Sequence, residues 1–213
     1  MRGMILRRSL LAASLPALAL AASPGGAQPA LSERDRADIA RAEAWLNRLT
    51  SLKARFLQVA QNGAAAEGTA WIVRPGRMRF EYDQEPLLLV ASHNQFFYYD
   101  KALRQPTVVP VAATPLGLLL RESPRLSGDV TVTRVERGGG MFRITLHRTG
   151  APAEGRLTLV FSEEPVELKQ WVVVDAQGQE TRVSLFQHEY GGRYPALLFE
   201  FNDPRFREQL GLP

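Results

Sequence analysis

Three histidines, His93, His147 and His188, are the side chains here best suited to ligating a metal or moving a proton near neutral pH. They lie far apart in the chain, with no HExxH and no other ligand-like spacing, so the pattern points away from a metal site. Cysteine is absent, which excludes disulfides, thiolate ligands and a thiol nucleophile. There is no G-x-S-x-G elbow, no phosphate-binding P-loop and no G-x-G-x-x-G opening a helix; Gly138-Gly139-Gly140 falls between strand-like segments and reads as a turn. Acids such as Asp83, Glu163 and Glu164 occupy turn-like settings. Folding could still bring two distant carboxylates together for hydrolysis, but nothing in the pattern points there. With no recognised catalytic constellation, the expectation is a binding protein that is not an enzyme and uses no cofactor or metal.

The binding chemistry centres on residues 71–82, W-I-V-R-P-G-R-M-R-F-E-Y. Trp71 and Val73 share a strand face before the turn at Arg74-Pro75-Gly76-Arg77, and Met78, Phe80 and Tyr82 share one after it. Pro75 and Gly76 suit the two central positions of a type II turn. Arg77 and Arg79 fall on the face opposite Phe80. Arg74 closes an apolar run, where an arginine can bury its stem and aim five donors at backbone carbonyls. The alternative for all three is ordinary solvation.

These residues need elements to position them. Ser32 can cap a helix whose apolar positions Ile39, Ala42, Leu46 and Leu49 recur every three to four residues, with Trp45 beside the stripe. Residues 52–59 begin a succession of strands with short punctuation. The runs 87–91 and 96–99 are apolar on both faces, which requires a cover on each side. Pro106 and Pro110 place 107–109 at an edge or bulge. Thr114 at N-cap and Pro115 at N1 predict a short helix carrying Leu116, Leu118, Leu119 and Leu120, either a buried connector or a lid over a cavity. Strands follow at 130–135, 141–147, 156–161, 166–174 and 181–187, with a last short strand in 194–201. Roughly ten strands with helices early and mid-chain predict an antiparallel α+β fold, and so many strongly twisted strands tend to curl toward a barrel. A barrel covered by a helix at its mouth encloses an apolar space, which suits acyl chains.

Composition sets the outer bounds. A chain of 213 residues suits one domain, and 45% hydrophobic with 23% charged residues is ordinary globular usage. Residues 1–27 carry Arg2, Arg7 and Arg8, then an alanine- and leucine-rich run and small residues, the pattern of a cleavable signal peptide ending near 21 or 27. Arg7-Arg8 fits either Sec or twin-arginine export. Removing that segment lowers Lys+Arg from 26 to 23 against 22 acids, a balance of +1, so there is no electrostatic case for nucleic acid. The expectation is a periplasmic domain over residues 28–213.

In order, Phe56-x-Gln58, Gly68 followed by residues 71–80, Phe97 to Asp100, Thr114-Pro115-Leu116 before the leucines, and Trp171-Val172 with Asp175-Ala176-Gln177-Gly178 resemble the LolA family of outer-membrane lipoprotein carriers. The resemblance covers most of the mature chain. It implies an unclosed antiparallel half-barrel of about ten or eleven strands with a helical lid over an apolar cavity. It also implies a monomeric shuttle for triacylated lipoproteins, loaded by an inner-membrane ABC transporter and unloaded to an outer-membrane acceptor. Arg74 then matches the arginine that latches the lid. Trp71, Val73, Met78, Phe80, Leu89 and Phe97 become expected cavity residues, and Leu116, Leu118, Leu119 and Leu120 expected lid residues. The family usually has tryptophan where this chain has Phe80. The alternative is a lipid-binding envelope module, or an acceptor-like protein that inserts lipoproteins itself; related acceptors usually carry a lipidated cysteine.

Overall fold

The computed structural model describes residues 30–84, 87–100 and 105–200. The export signal expected in residues 1–27 lies outside them. The first element is helix α1, Glu33–Arg48, and its start is a capping box. The Asp35 N–H donates to Ser32 Oγ at 3.1 Å, and the Ser32 N–H donates to Asp35 Oδ2 at 2.9 Å, so each residue satisfies the other's exposed end. Ala42, Trp45 and Leu46 form the buried face, which places Trp45 within the stripe.

Eleven strands follow: β1 Ser51–Ala60, β2 Ala65–Val73, β3 Arg77–Tyr82, β4 Leu87–Ser92, β5 Gln95–Asp100, β6 Gln105–Pro110, β7 Val130–Gly138, β8 Met141–Arg148, β9 Gly155–Glu163, β10 Val166–Asp175 and β11 Glu180–Tyr190. They make one sheet in the order β6-β5-β4-β3-β2-β1-β11-β10-β9-β8-β7. Each pairing is antiparallel, and the pairing of β1 with β11 joins two meanders into one. Register shifts between Lys53 and Arg55, Leu168 and Gln170, and Val132 and Arg134 bend the strands and raise their twist, curling the sheet into a half-barrel. The barrel stays open between β6 and β7, and residues 111–129 cross that seam.

The concave face is filled by rings from both walls. Phe56 meets Phe80 at 4.8 Å between centroids, and Phe80 on β3 meets Trp171 on β10 edge-on at 5.9 Å. Gly68 makes the first contact possible, since a Cβ there would stand 1.9 Å from the Glu81 carbonyl oxygen and 2.7 Å from the Phe56 ring.

The convex face has its own buried layer. Leu88, Val90 and Tyr99 are buried there beneath a 3-10 turn, Ala196–Phe199, whose Leu198 and Phe199 are buried in return. This is the second cover that the two-sided apolar runs of β4 and β5 require. The segment is a 3-10 turn rather than the expected strand because it lies across the sheet instead of beside an edge. Arg79 holds it: 1% exposed, it donates from Nη1 to the Leu198 carbonyl at 2.9 Å and from Nε to Glu81 at 2.6 Å. Arg77 stacks over the Phe199 ring at 5.6 Å.

The seam segment contains a 3-10 turn, Val111–Ala113, and helix α2, Gly117–Leu120. The helix starts later than the sequence predicts. Thr114 does not cap it, because its hydroxyl and its N–H both donate back to the Val111 carbonyl, at 2.9 and 3.0 Å, closing the preceding turn. Leu116 takes the N-cap position.

Candidate functional site

Arg74 leaves the end of β2 and spans three backbone acceptors. Its Nε donates to the Arg121 carbonyl at 2.9 Å, Nη2 to the Glu122 carbonyl at 3.1 Å, and Nη1 to the Leu46 carbonyl. The first two oxygens follow α2 directly, and the third belongs to the last turn of α1, where the helix dipole favours a cation. Gly76 adds a fourth tie from the same turn, its N–H donating to the Leu120 carbonyl at 2.8 Å. Gly76 takes the positive φ, +77°, that the turn reading asks of it; the Arg74–Pro75 bond is cis, which that reading does not include. Partial burial lowers the guanidinium pKa, but an arginine stays charged at any physiological pH. Its partners among the described residues are carbonyl dipoles, two of them in part-buried bonds and the one to Glu122 exposed.

Beneath α2 lies a cavity of about 270 Å³. Its apolar lining includes Val111, Leu118 and Leu120 from the seam segment and Val130, Leu146 and Leu157 from β7, β8 and β9. It therefore occupies the seam where the sheet fails to close. Widening it breaks no strand pairing, because β6 and β7 are both edges. Arg121, Arg148 and Arg156 stand at its rim, the first two in ion pairs with Asp129 and Glu154. Farther along the concave face, the half-buried Tyr82 hydroxyl donates to Gln58 Oε1 at 2.9 Å, and burial raises its pKa.

The structure sorts the expected cavity residues by face. Met78, Phe80 and Leu89 are concave and belong to or pack on the main core. Trp71, Val73 and Phe97 are convex: Trp71 pairs with Arg79, Val73 with Arg77, and Phe97 with Val90. The connection 74–76 sets this register by pairing Val73 with Arg77, so the face carrying Trp71 continues into the arginines rather than into Phe80. Leu118, Leu119 and Leu120 are buried in α2, and Leu116 packs partly against the core. Leu146, Leu157 and Val130 are cavity residues that reading from the sequence does not single out. The clean alternation of Phe142, Ile144 and Leu146 marks the dry face of β8, but only the unclosed topology shows that its end meets the seam cavity under α2.

The histidines stay apart. His93 approaches Glu200 at 4.0 Å, His147 Nδ1 the Arg148 carbonyl at 2.9 Å, and His188 Nε2 the Leu168 carbonyl at 3.1 Å. Among the described residues no cluster of three or more ligating side chains could hold a metal, and no helix is long and apolar enough to cross a membrane.

Known proteins share the sequence pattern and the fold. The family model described as "Outer membrane lipoprotein carrier protein LolA" matches residues 47–202. The outer-membrane lipoprotein carrier protein of Azotobacter vinelandii is 28% identical over 200 residues, spanning 89% of this chain and 92% of that protein. That of Legionella pneumophila is 29% identical over 170 residues, 75% of this chain and 83% of its own. A solved structure of a DUF1329 family protein from Desulfovibrio piger shares the fold, with a TM-score of 0.50 at 10% identity over 77% of this chain and 95% of that one.

Proposed function

This chain belongs to the LolA family of outer-membrane lipoprotein carriers, and from that membership we propose that it is a periplasmic shuttle for triacylated lipoproteins. Family members are non-catalytic transport proteins. In the proposed cycle the chain takes cargo released at the inner membrane by an ABC transporter and passes it to an outer-membrane acceptor. The acyl chains enter beneath α2 and spread onto the concave face around Met78, Phe80 and Leu89, with Leu116, Leu118, Leu119 and Leu120 as the lid. Each methylene transferred from water contributes about 0.8 kcal/mol, so affinity needs no polar code. A cavity of about 270 Å³ falls below the usual range of preformed ligand pockets, roughly 300–1,000 Å³, so loading requires the lid to lift.

The observation that supports the reading is the set of hydrogen bonds by which Arg74, at the end of β2, holds the Arg121 and Glu122 carbonyls just after α2 and the Leu46 carbonyl of α1; in the proposed cycle Arg74 is the latch of the lid. A latch of this kind adds the energy of closing to the release of cargo. Arg74→Leu is expected to loosen the lid and to impair onward transfer of a fluorescent triacylated lipopeptide between vesicles more than its uptake. Unchanged transfer kinetics would sink the latch. Native mass spectrometry of the protein isolated from its own envelope tests the cargo class directly: bound triacylated lipoprotein supports the carrier, and free lipid alone points to a lipid-binding module.

A further inference from the structure

The segment crossing the seam is held at two places that do different things. Residues 120–122 are tied to the β2–β3 turn by Arg74 and Gly76. A few residues later the chain is tied to α1 instead. Glu43 Oε1 accepts the Leu126 N–H at 2.6 Å, and Asn47 Nδ2 donates to the Pro124 carbonyl at 3.1 Å. Glu43 and Asn47 are one helical turn apart on a shared face, and the Asn47 amide also donates to the Glu43 carbonyl at 2.8 Å, which fixes its orientation.

Helix α1 is itself immobilised on the far side. Arg137 of β7 donates to Asp38 at 2.6 Å and to Asp35 at 2.8 Å, and Arg41 donates to the Glu163 carbonyl at 2.6 Å. Ala42 and Leu46 are fully buried. A segment clipped to such a crossbar stays with it. Below the clip, Thr149 holds the carbonyls of Gly128 and Asp129 at 2.7 and 2.9 Å, so the chain from 124 onward is anchored down to β7. The Arg121–Asp129 pair spans both parts, but it lies at the surface, where such pairs contribute little.

We infer that Glu43 and Asn47 are positioning residues that hold the foot of the lid on α1. The flap that opens is then 111–122, pivoting at Ser123-Pro124, with Arg74 as its catch. The inference rests on the lid reading above and specifies which part of the lid moves. Glu43 uses a half-buried carboxylate to take one backbone N–H, a charge-assisted bond suited to a fixed point rather than a sliding contact.

The absence of cysteine makes the test clean. One variant pairs Ala44→Cys with Arg125→Cys, exposed positions beside the foot; a second pairs Pro75→Cys with Glu122→Cys, exposed positions beside the catch. Each is bridged with a short bis-maleimide, and loading of a fluorescent triacylated lipopeptide is compared before and after bridging. Bridging the foot is expected to leave the loading rate within about twofold, while bridging the catch lowers it by about tenfold or more. Loss in both would overturn the fixed foot alone, and retention in both would overturn the latch reading with it. Among single variants, Glu43→Ala is expected to raise the rate of amide exchange at Leu126, whose N–H loses its acceptor, with Arg74 intact. Glu43→Gln, which keeps an acceptor oxygen, restores slow exchange. Equal exchange in all three proteins would also overturn the inference.

Discussion

Arg74, Arg77 and Arg79 are one residue type at neighbouring positions with three fates. Arg74 spans three carbonyls of the helical cover, Arg77 stacks on Phe199, and Arg79 is sealed beneath the 3-10 turn with Glu81 as counter-ion. What separates them is the chain that arrives from far away: residues 121–122 for one, 198–199 for the others. No local pattern around residues 71–82 contains that information, which is why a rim arginine is legible at Arg74 and a buried one at Arg79 is not. Gly68 shows the same dependence on a distant neighbour. Its missing side chain leaves room for the Phe56 ring on the concave face, and the harder limit is the Glu81 carbonyl, 1.9 Å from where a Cβ would stand. A backbone oxygen cannot rotate away, so β2 and β3 must separate locally to admit a methyl group. Gly68→Ala is expected to destabilise by about 1–3 kcal/mol, the range for overpacking a close-packed site, read as a lower urea midpoint.

At the scale of elements, α1 is legible from its cap and stripe because both are local. The strands are legible because punctuation recurs at short intervals. Which faces meet across a hairpin is not, since an alternating pattern fixes the faces within each strand while the connection fixes how they join. Trp71 and Val73 go to the convex side for that reason. The same distinction explains α2, whose start is predicted at Thr114 from a good capping pair, while the hydroxyl instead serves the turn behind it. The cap of α1 also carries a pH dependence. The Ser32 hydrogen bonds, followed by Arg137, hold the Asp35 carboxyl down at about 2. A folded-state pKa below the unfolded value of about 3.9 stabilises the protein fully above that value, and the contribution is lost as pH falls through about 2. Ser32→Ala removes both the cap, at a cost of about 1 kcal/mol, and the main cause of the shift. The difference in urea midpoint between wild type and Ser32→Ala is expected to be constant from pH 7 to about pH 5 and to shrink toward pH 2. A difference independent of pH would mean that Asp35 takes no part in the cap.

For the whole molecule, the decisive feature is that the sheet does not close. A closed barrel would satisfy both edges and trap whatever it enclosed; here a short segment with a four-residue helix stands in the gap. In the proposed cycle, opening costs the Arg74 hydrogen bonds, the burial of a few leucines and no strand pairing, which keeps the two states within reach of a ligand's binding energy. Phe80 and Trp171 meeting across the concave face show that the closed state already spends much of its apolar surface on itself. The seam cavity is space at the open edge of the sheet, and Val130, 5% exposed at the start of β7, lines it together with Leu118 and Leu120 of α2. Val130→Phe adds apolar volume where there is room for it. Because the cavity is large enough to hold the ring, the substitution is expected to stabilise the empty protein and raise its thermal midpoint by a few degrees. The same ring displaces acyl chain: excluding two or so methylenes removes about 1.6 kcal/mol of transfer energy, or about tenfold in affinity for a triacylated lipopeptide. Both changes must occur together. A higher midpoint with unaltered affinity would place the acyl chains elsewhere on the concave face, and a lower midpoint would mean that the closed seam is already packed to its limit.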